Sequence, residues 1–184
     1  MLKKQENGIV KKQDILENQA KLVYLSLGSN LGNRITNLDK AKFLLNLNNI
    51  KIIKSSCYYE SKSWPNNKFP KYINIVVEAY TKYKINSLFT IIKLIEKKLG
   101  RKKDLKNYPR TCDIDIIDYD SKVKSINLNN KKIVIPHPRL HQRNFVLIPL
   151  FEISKDWIHP KFKQKIGNLL LKIKNNELSS IKII

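Results

Sequence analysis

The stretch PRTCDIDIID, residues 109–118, decides how this chain is read. From Asp113 to Ile116, carboxylates and isoleucines alternate, the period-two pattern of a strand with one buried face. Residues i and i+2 of a strand share a face and stand roughly 6.5–7 Å apart. Asp113 and Asp115 therefore project side by side, with Ile114 and Ile116 turned to a core. A strand here, over TCDIDIIDYD (111–120), is the last element of an ordered series.

KLVYLSLGS (21–29) reads as a strand, GSNLGN as a tight turn, and RITNLDKAKFLLNLN (34–48) as a helix with apolar residues at helical spacing. Strands are expected over 49–61 and 72–83, separated by a proline-containing loop at 61–71. INSLFTIIKLIEKKLG (85–100) reads as a helix with Asn86 or Ser87 as its cap and Gly100 as its stop. A charged loop (100–109) leads into the 111–120 strand. The order is βαββαβ, an α+β, ferredoxin-like core with a mostly antiparallel sheet and packed helices. A hairpin over 122–136, turning at Asn129-Asn130, and a C-terminal helix over 165–176 are added to it. Residues 137–153 open as a loop or short helix and become apolar.

At 184 residues the chain is long enough for one domain with a substantial core, taken as 21–184. Residues 1–20 read as a polar, mobile extension; they lack the apolar centre of a secretory signal and the arginines of a transit peptide. No apolar run reaches membrane-spanning length. Cys57 and Cys112 have no CxxC spacing and are expected to be buried free thiols in a reducing cytoplasm. The expectation is a cytoplasmic monomer acting on small molecules, with no nucleic-acid or membrane partner.

The formal net charge is +21, yet only five of the 36 basic residues are arginine. The lysines are scattered. Four of the five arginines, Arg101, Arg110, Arg139 and Arg143, fall within residues 101–143. Arginine presents a planar fork that grips phosphate oxygens in pairs, which lysine cannot do. Two adjacent carboxylates repel each other unless a cation lies between them, and hard oxygen ligands of this kind suit Mg²⁺. Arg101, Lys103 and Arg110 lie just upstream of them. Carboxylates for a metal beside cations for phosphate form a layout for phosphoryl transfer. In HPRLHQR, His137 and His141 are four apart, but Pro138 and the missing HExxH pattern argue against zinc. His137 and Arg143 suit phosphate contact instead. Trp64, Tyr72 and Phe145, in or beside loops, suit either a core or a sandwich for a flat heterocycle.

The series YLSLGSNLGNR, SSCYYESKSW, FPKYIN, LIEKKLGR, PRTCDIDIID and IPHPRLHQRNFVLIPL resembles the 6-hydroxymethyl-7,8-dihydropterin pyrophosphokinases of folate biosynthesis, over about residues 22–160. The resemblance implies a ferredoxin-like fold and transfer of pyrophosphate from ATP to the pterin hydroxymethyl group, with AMP released. It implies two Mg²⁺ ions on Asp113 and Asp115, and charge stabilisation by Arg101 and Arg110. Glu96, Lys103, His137 and Arg143, with a weaker case for Lys132, would serve ATP. Ser61, Trp64, Tyr72, Asn74 and Phe145 would hold the pterin. The chain departs from the family at Lys106-Asn107-Tyr108, where Arg-Trp-Gly is usual and one residue more is present. It also has Lys103 for a second loop arginine, Ser61 for Thr and Ser63 for Pro. The loops at 61–71 and 100–109 are the expected lids.

Two other readings compete. An RNA-recognition module would share the βαββαβ order and the positive charge, but needs an RGFGFVxF-like stacking run that is missing here. A catalytically weak relative acting as a binding protein is the second, and the retained aspartate pair and Arg110 speak against it.

Overall fold

The computed structural model describes residues 19–63, 68–101, 108–128 and 131–184. Strand β1 (Lys21–Ser29) turns through Gly32, at φ +67°, into helix α1 (Arg34–Leu47). Asn33 caps that helix, its Oδ1 accepting the Thr36 N–H at 3.1 Å. Strands β2 (Lys51–Ser55), β3 (Tyr59–Ser61) and β4 (Tyr72–Thr81) follow, then helix α2 (Ile85–Lys98) and strand β5 (Asp113–Tyr119). Hairpin strands β6 (Lys124–Leu128) and β7 (Lys131–Ile135) come next; their Asn129-Asn130 turn lies outside the described residues. A 3-10 turn (Leu140–Gln142) leads into helix α3 (Asn144–Ile153). Two short helices, α4 (Ile166–Leu170) and α5 (Asn175–Leu178), and an edge strand, β8 (Lys182–Ile183), complete the chain.

The sheet order is β5-β1-β4-β3-β8, with β2 also paired to β4, and every pairing is antiparallel. This is the ferredoxin-like arrangement expected from the element order. Central strands β1 and β4 are buried almost throughout because both faces are covered. Helices α1 and α2 press Leu38, Leu45, Leu88 and Ile92 onto one face, against Leu25, Leu27, Ile75 and Ile114. On the opposite face α3 and the C-terminal segment cover one end, packing Val146, Leu150 and Trp157 against Tyr24, Val76 and Ile117. The other end of that face is where the site forms.

A β-bulge in β5 distributes its three aspartates. Asp113 pairs with Gly28, Asp115 with Ser26 and Ile116 with Leu25, but Tyr24 pairs with Asp118, so Ile117 is the extra residue. Regular alternation would turn Asp118 toward α1 and α2. The bulge returns it to the face of Asp113 and Asp115, where it accepts the Trp157 Nε1–H at 2.8 Å.

Several expectations are corrected. The strand over 49–61 is two strands. At the break, the Ser56 hydroxyl accepts the Val76 N–H at 3.0 Å, in place of a backbone ladder bond. Cys112 is buried, but Cys57 lies in that break and is exposed. Helix α2 starts one residue before Asn86, and its N-cap, Lys84, makes no side-chain capping bond. The C-terminal helix over 165–176 is interrupted after Leu170, where tighter bonds from Lys172 to Leu169 and from Ile173 to Leu170 turn Ile173 inward. Asn175-Asn176, poor helix formers, begin the next short helix. Of the extension expected over 1–20, only residues 19 and 20 are described. Among the described residues no helix is long and apolar enough to cross a membrane.

Candidate active site

A cavity of about 310 Å³ opens at the uncovered end of the sheet. Its wall contains Asp113 and Asp115 from β5, Ser26 and Gly28 from β1, Tyr72 and Asn74 from β4, and Ser61 from β3. Register explains this grouping. Asp113 lies opposite Gly28, and Gly28 opposite Asn74, so one row crosses three strands on one face. Arg101, Arg110, His137 and Arg143 reach in from the segments after α2, before β5 and before α3, and Phe145 from the first turn of α3. Ten of the residues singled out in the sequence are thus brought together. Lys103 and Trp64 lie outside the described residues. Lys132 stands exposed on β7 and does not line this cavity.

The charges are tightly paired. Arg101 Nη1 donates to Asp113 Oδ1 at 2.6 Å, and Arg110 Nη1 to Asp113 Oδ2 at 2.8 Å. Arg143 Nη1 donates to Asp115 Oδ2 at 3.0 Å. Burial works to raise the Asp113 carboxyl, but Arg101, Arg110 and Lys93 outweigh it and hold it below its ordinary value. Asp113 is therefore a carboxylate at neutral pH.

Glu96 was expected at the nucleotide. It lies instead beneath the cavity floor, 1% exposed. Its Oε1 accepts the Ile114 N–H at 2.8 Å and pairs with Arg101 Nη1 at 2.5 Å, while Oε2 pairs with Lys93 at 2.7 Å. Burial pushes its carboxyl up, against the pull of Lys93 and Arg101. This residue binds α2 to β5 and seats Arg101. The seat depends on how α2 ends. Gly100, at φ +87°, donates its N–H to Lys97 O, and the Arg101 N–H returns to Glu96 O, both at 3.0 Å. That pair of bonds is a Schellman stop, which needs a left-handed residue at position 100.

His137 is neutral at pH 7: burial, then the positive charge of Arg143, holds its imidazole below the ordinary value. Its Nδ1 accepts the Arg139 N–H at 3.1 Å, so the ring proton sits on Nε2. Arg143 lies over the Phe145 ring, 5.6 Å from its centroid.

The opposite wall suits a flat heterocycle with polar edges. Asn74 is 3% exposed and donates from Nδ2 to Ser61 Oγ at 2.9 Å. Gly28 was read only as part of a turn, and the structure gives it a further reason. A Cβ there would lie 3.2 Å from Asn74 Oδ1 and 3.3 Å from the Tyr72 ring. Glycine keeps those two side chains in place. Asn30 was also missed. Its Oδ1 accepts the Arg110 N–H at 2.7 Å, its own N–H donates to Arg110 O at 3.0 Å, and its Nδ2 reaches Pro70 O. It fastens the β1–α1 turn to Arg110. The GSN sequence offered no sign of this, because the partner is eighty residues away. Tyr108, from the altered Lys106-Asn107-Tyr108 segment, does not line the cavity; it packs on Phe69, with ring centroids 5.6 Å apart.

Comparisons with known proteins converge on one family. The family model described as 7,8-dihydro-6-hydroxymethylpterin-pyrophosphokinase (HPPK) matches residues 24–155. The chain is 39% identical over 144 residues to the 2-amino-4-hydroxy-6-hydroxymethyldihydropteridine pyrophosphokinase of Aquifex aeolicus, covering 78% of this chain and 87% of that one. It is 37% identical over 175 residues to the folic acid synthesis protein fol1 of Pneumocystis carinii, covering 95% of this chain but 23% of that protein. The chain thus spans under a quarter of that fungal relative. A wild-type Plasmodium falciparum HPPK-DHPS structure with pteroate superposes with a TM-score of 0.69 at 15% identity, over 84% of this chain and 44% of that one, which is a likeness of fold.

Proposed function

The chain belongs to the 7,8-dihydro-6-hydroxymethylpterin-pyrophosphokinase family, and from that premise we propose that it transfers pyrophosphate from ATP to 6-hydroxymethyl-7,8-dihydropterin and releases AMP. The hydroxymethyl oxygen attacks the β-phosphorus. A new oxygen–phosphorus bond forms as the bond to the α-phosphate oxygen breaks, and the hydroxyl proton is lost to solvent. One observation supports the reading: two carboxylates, four arginines and an imidazole converge in the cavity that also holds Asn74 between Ser61 and Gly28.

The donor set fits Mg²⁺. Among the described residues no cluster of three or more His, Cys, Asp or Glu side chains could hold a metal. A pair of carboxylates, completed by phosphate oxygens and water, is the manner of binding Mg²⁺ favours. Asp113 and Asp115 would hold two such ions, which would neutralise and align phosphate oxygens when bound. Arg101 and Arg110 stand on Asp113 and supply positive charge where the transferred group gains negative charge. His137, protonated at Nε2 and neutral, donates a hydrogen bond to a phosphate oxygen. Arg143 adds a second anchor. Asn74 hydrogen-bonds the pterin edge, and Tyr72 and Phe145 flank the ring. Among the described residues no side chain is placed as a strong general base, so positioning and electrostatics carry the rate.

The test is AMP release from ATP and 6-hydroxymethyl-7,8-dihydropterin with Mg²⁺. Product is expected only when all three are present. No AMP above background with well-folded protein would refute the assignment.

A further inference from the structure

Among the described residues, the side-chain hydrogen bonds of the aspartate pair are to guanidinium groups. Asp113 has one arginine on each oxygen, Arg101 at 2.6 Å and Arg110 at 2.8 Å. Asp115 has Arg143 on Oδ2 at 3.0 Å. Charge-assisted bonds of this length are the strong ones, and those to Asp113 are largely shielded from water. A divalent cation arriving alone would have to displace these arginines, of which Arg101 alone has a second carboxylate partner among the described residues, Glu96 beneath the floor. A polyphosphate supplies the anion the others lack.

We propose that Arg101, Arg110 and Arg143 occupy the metal ligands as placeholders, so that the protein takes up divalent cation only together with a polyphosphate. This inference deepens the functional reading above and rests on it. The arginines exchange partners: they leave the aspartates for phosphate oxygens, and the cation takes the vacated carboxylates. Each carboxylate and each guanidinium has an opposite charge beside it before and after the exchange, so the cavity holds neither an unpaired carboxylate pair nor a cluster of bare guanidinium groups.

Glu96 makes the exchange directional. Arg101 touches Asp113 and Glu96 through the same Nη1, at 2.6 and 2.5 Å. When Asp113 is claimed by a cation, Arg101 keeps its hold on Glu96, which is itself fixed by Lys93 and the Ile114 N–H. Arg101 therefore pivots within the cavity and is not released to solvent. Glu96 is a positioning residue that acts through Arg101.

The inference is tested by Mn²⁺ titration, reading free Mn²⁺ by electron paramagnetic resonance, with and without a non-hydrolysable ATP analogue, and with the analogue's own Mn²⁺ binding measured in the absence of protein and subtracted. Wild-type protein should bind Mn²⁺ weakly alone and at least tenfold more tightly with the analogue. Arg143→Gln frees Asp115 and should bind Mn²⁺ alone about tenfold more tightly than wild type, with the analogue adding less. Lys62→Gln is the control. It removes a positive charge from the lining of the same cavity but touches neither aspartate, and should leave Mn²⁺ affinity within about twofold. An Arg143→Gln protein that binds Mn²⁺ alone no better than wild type would overturn the proposal. So would an equal gain in Lys62→Gln, which would assign the effect to the general field. Failure of wild-type protein to bind Mn²⁺ even with the analogue would instead overturn the functional reading, and this inference with it. Circular dichroism of each variant confirms that it folds.

Discussion

Strand β5 carries aspartates at both ends of one sheet face, and the two ends are in opposite chemical states. At the open end, Asp113 and Asp115 face a cavity and meet charged partners. At the covered end, Asp118 is 1% exposed and accepts from the indole N–H of Trp157 and the backbone N–H of Ser121, both neutral donors. Arginines pull Asp113 below its ordinary value; burial pushes Asp118 above its own. Identical side chains five residues apart thus differ because one end of the sheet is roofed by α3 and the other is not. A carboxylate under a roof holds the fold. A carboxylate at the rim can exchange its partners, which is what binding a metal and a polyphosphate requires.

This contrast can be broken by substitution. Asp115→Asn keeps shape and removes charge at the rim; kcat is expected to fall on the order of 10³-fold, as for loss of a principal electrostatic group. Its midpoint of thermal unfolding should stay within a few degrees of wild type, because Asp115 is partly exposed. Retained activity at fixed Mg²⁺ would remove Asp115 from the metal site. Asp118→Ala should do the reverse. It strands the buried Trp157 N–H and should cost about 2 kcal/mol of stability, measured by urea unfolding. The kcat of the folded fraction should remain near wild type. A large loss of kcat with normal stability would mean the two ends are coupled and not separate.

A third change sharpens the description of the open end. Gly28→Ala places a methyl group against Asn74 and Tyr72. It should raise KM for the pterin about tenfold, equal to roughly 1.4 kcal/mol, with a much smaller effect on KM for ATP. Equal effects on both would show that the row from Gly28 to Asn74 does not face the pterin.

The smallest effect concerns the roof. His159 is 2% exposed, and burial, then the charge of nearby His141, pushes its imidazole down to about 4. Its ordinary value is 6.5, so it stays neutral in the fold while the unfolded chain takes up a proton. Its contribution to stability is complete above pH 6.5 and is lost as pH falls toward 4. Asp118, shifted upward, tilts the other way: its contribution is present below its ordinary 3.8 and declines as pH rises through its folded value. His159 Nδ1 accepts the Lys161 and Phe162 N–H groups at 3.1 and 3.2 Å, a role an asparagine oxygen can fill. His159→Asn should flatten the loss of stability between pH 6.5 and 4 by about 1 kcal/mol. An unchanged slope would place the acid sensitivity elsewhere.

Much of this was legible in residues 109–118. Alternation placed Asp113 and Asp115 on one face, and the scarcity of arginine pointed to Arg101, Arg110, Arg139 and Arg143, all of which reach the cavity. The helix stop at Gly100 was readable because a left-handed residue has a strong glycine preference. Other features were hidden for physical reasons. Alternation alone puts Asp118 on the wrong face, since a bulge is set by pairing across strands and leaves little local trace. Gly28 and Asn30 act on Asn74, Tyr72 and Arg110, which are distant in sequence. Glu96 was assigned to the nucleotide by the family resemblance, and nothing local in the sequence reveals that its carboxylate turns beneath β5. The break at Ser56 was missed because a hydroxyl can replace a ladder bond within a run of otherwise strand-forming residues.

The Schellman stop at the end of α2 ties a folding signal to an enzymatic one. A side chain at position 100 disfavours the left-handed conformation by roughly 1–2 kcal/mol, a modest burden for a domain with this much core. Leaving the left-handed conformation to avoid that cost would turn the chain one residue before Arg101, whose N–H is held by Glu96 O. A substitution at this one position is therefore expected to leave abundance and fold near normal while displacing the guanidinium from Glu96 and Asp113. Screens that score expression or solubility would pass it.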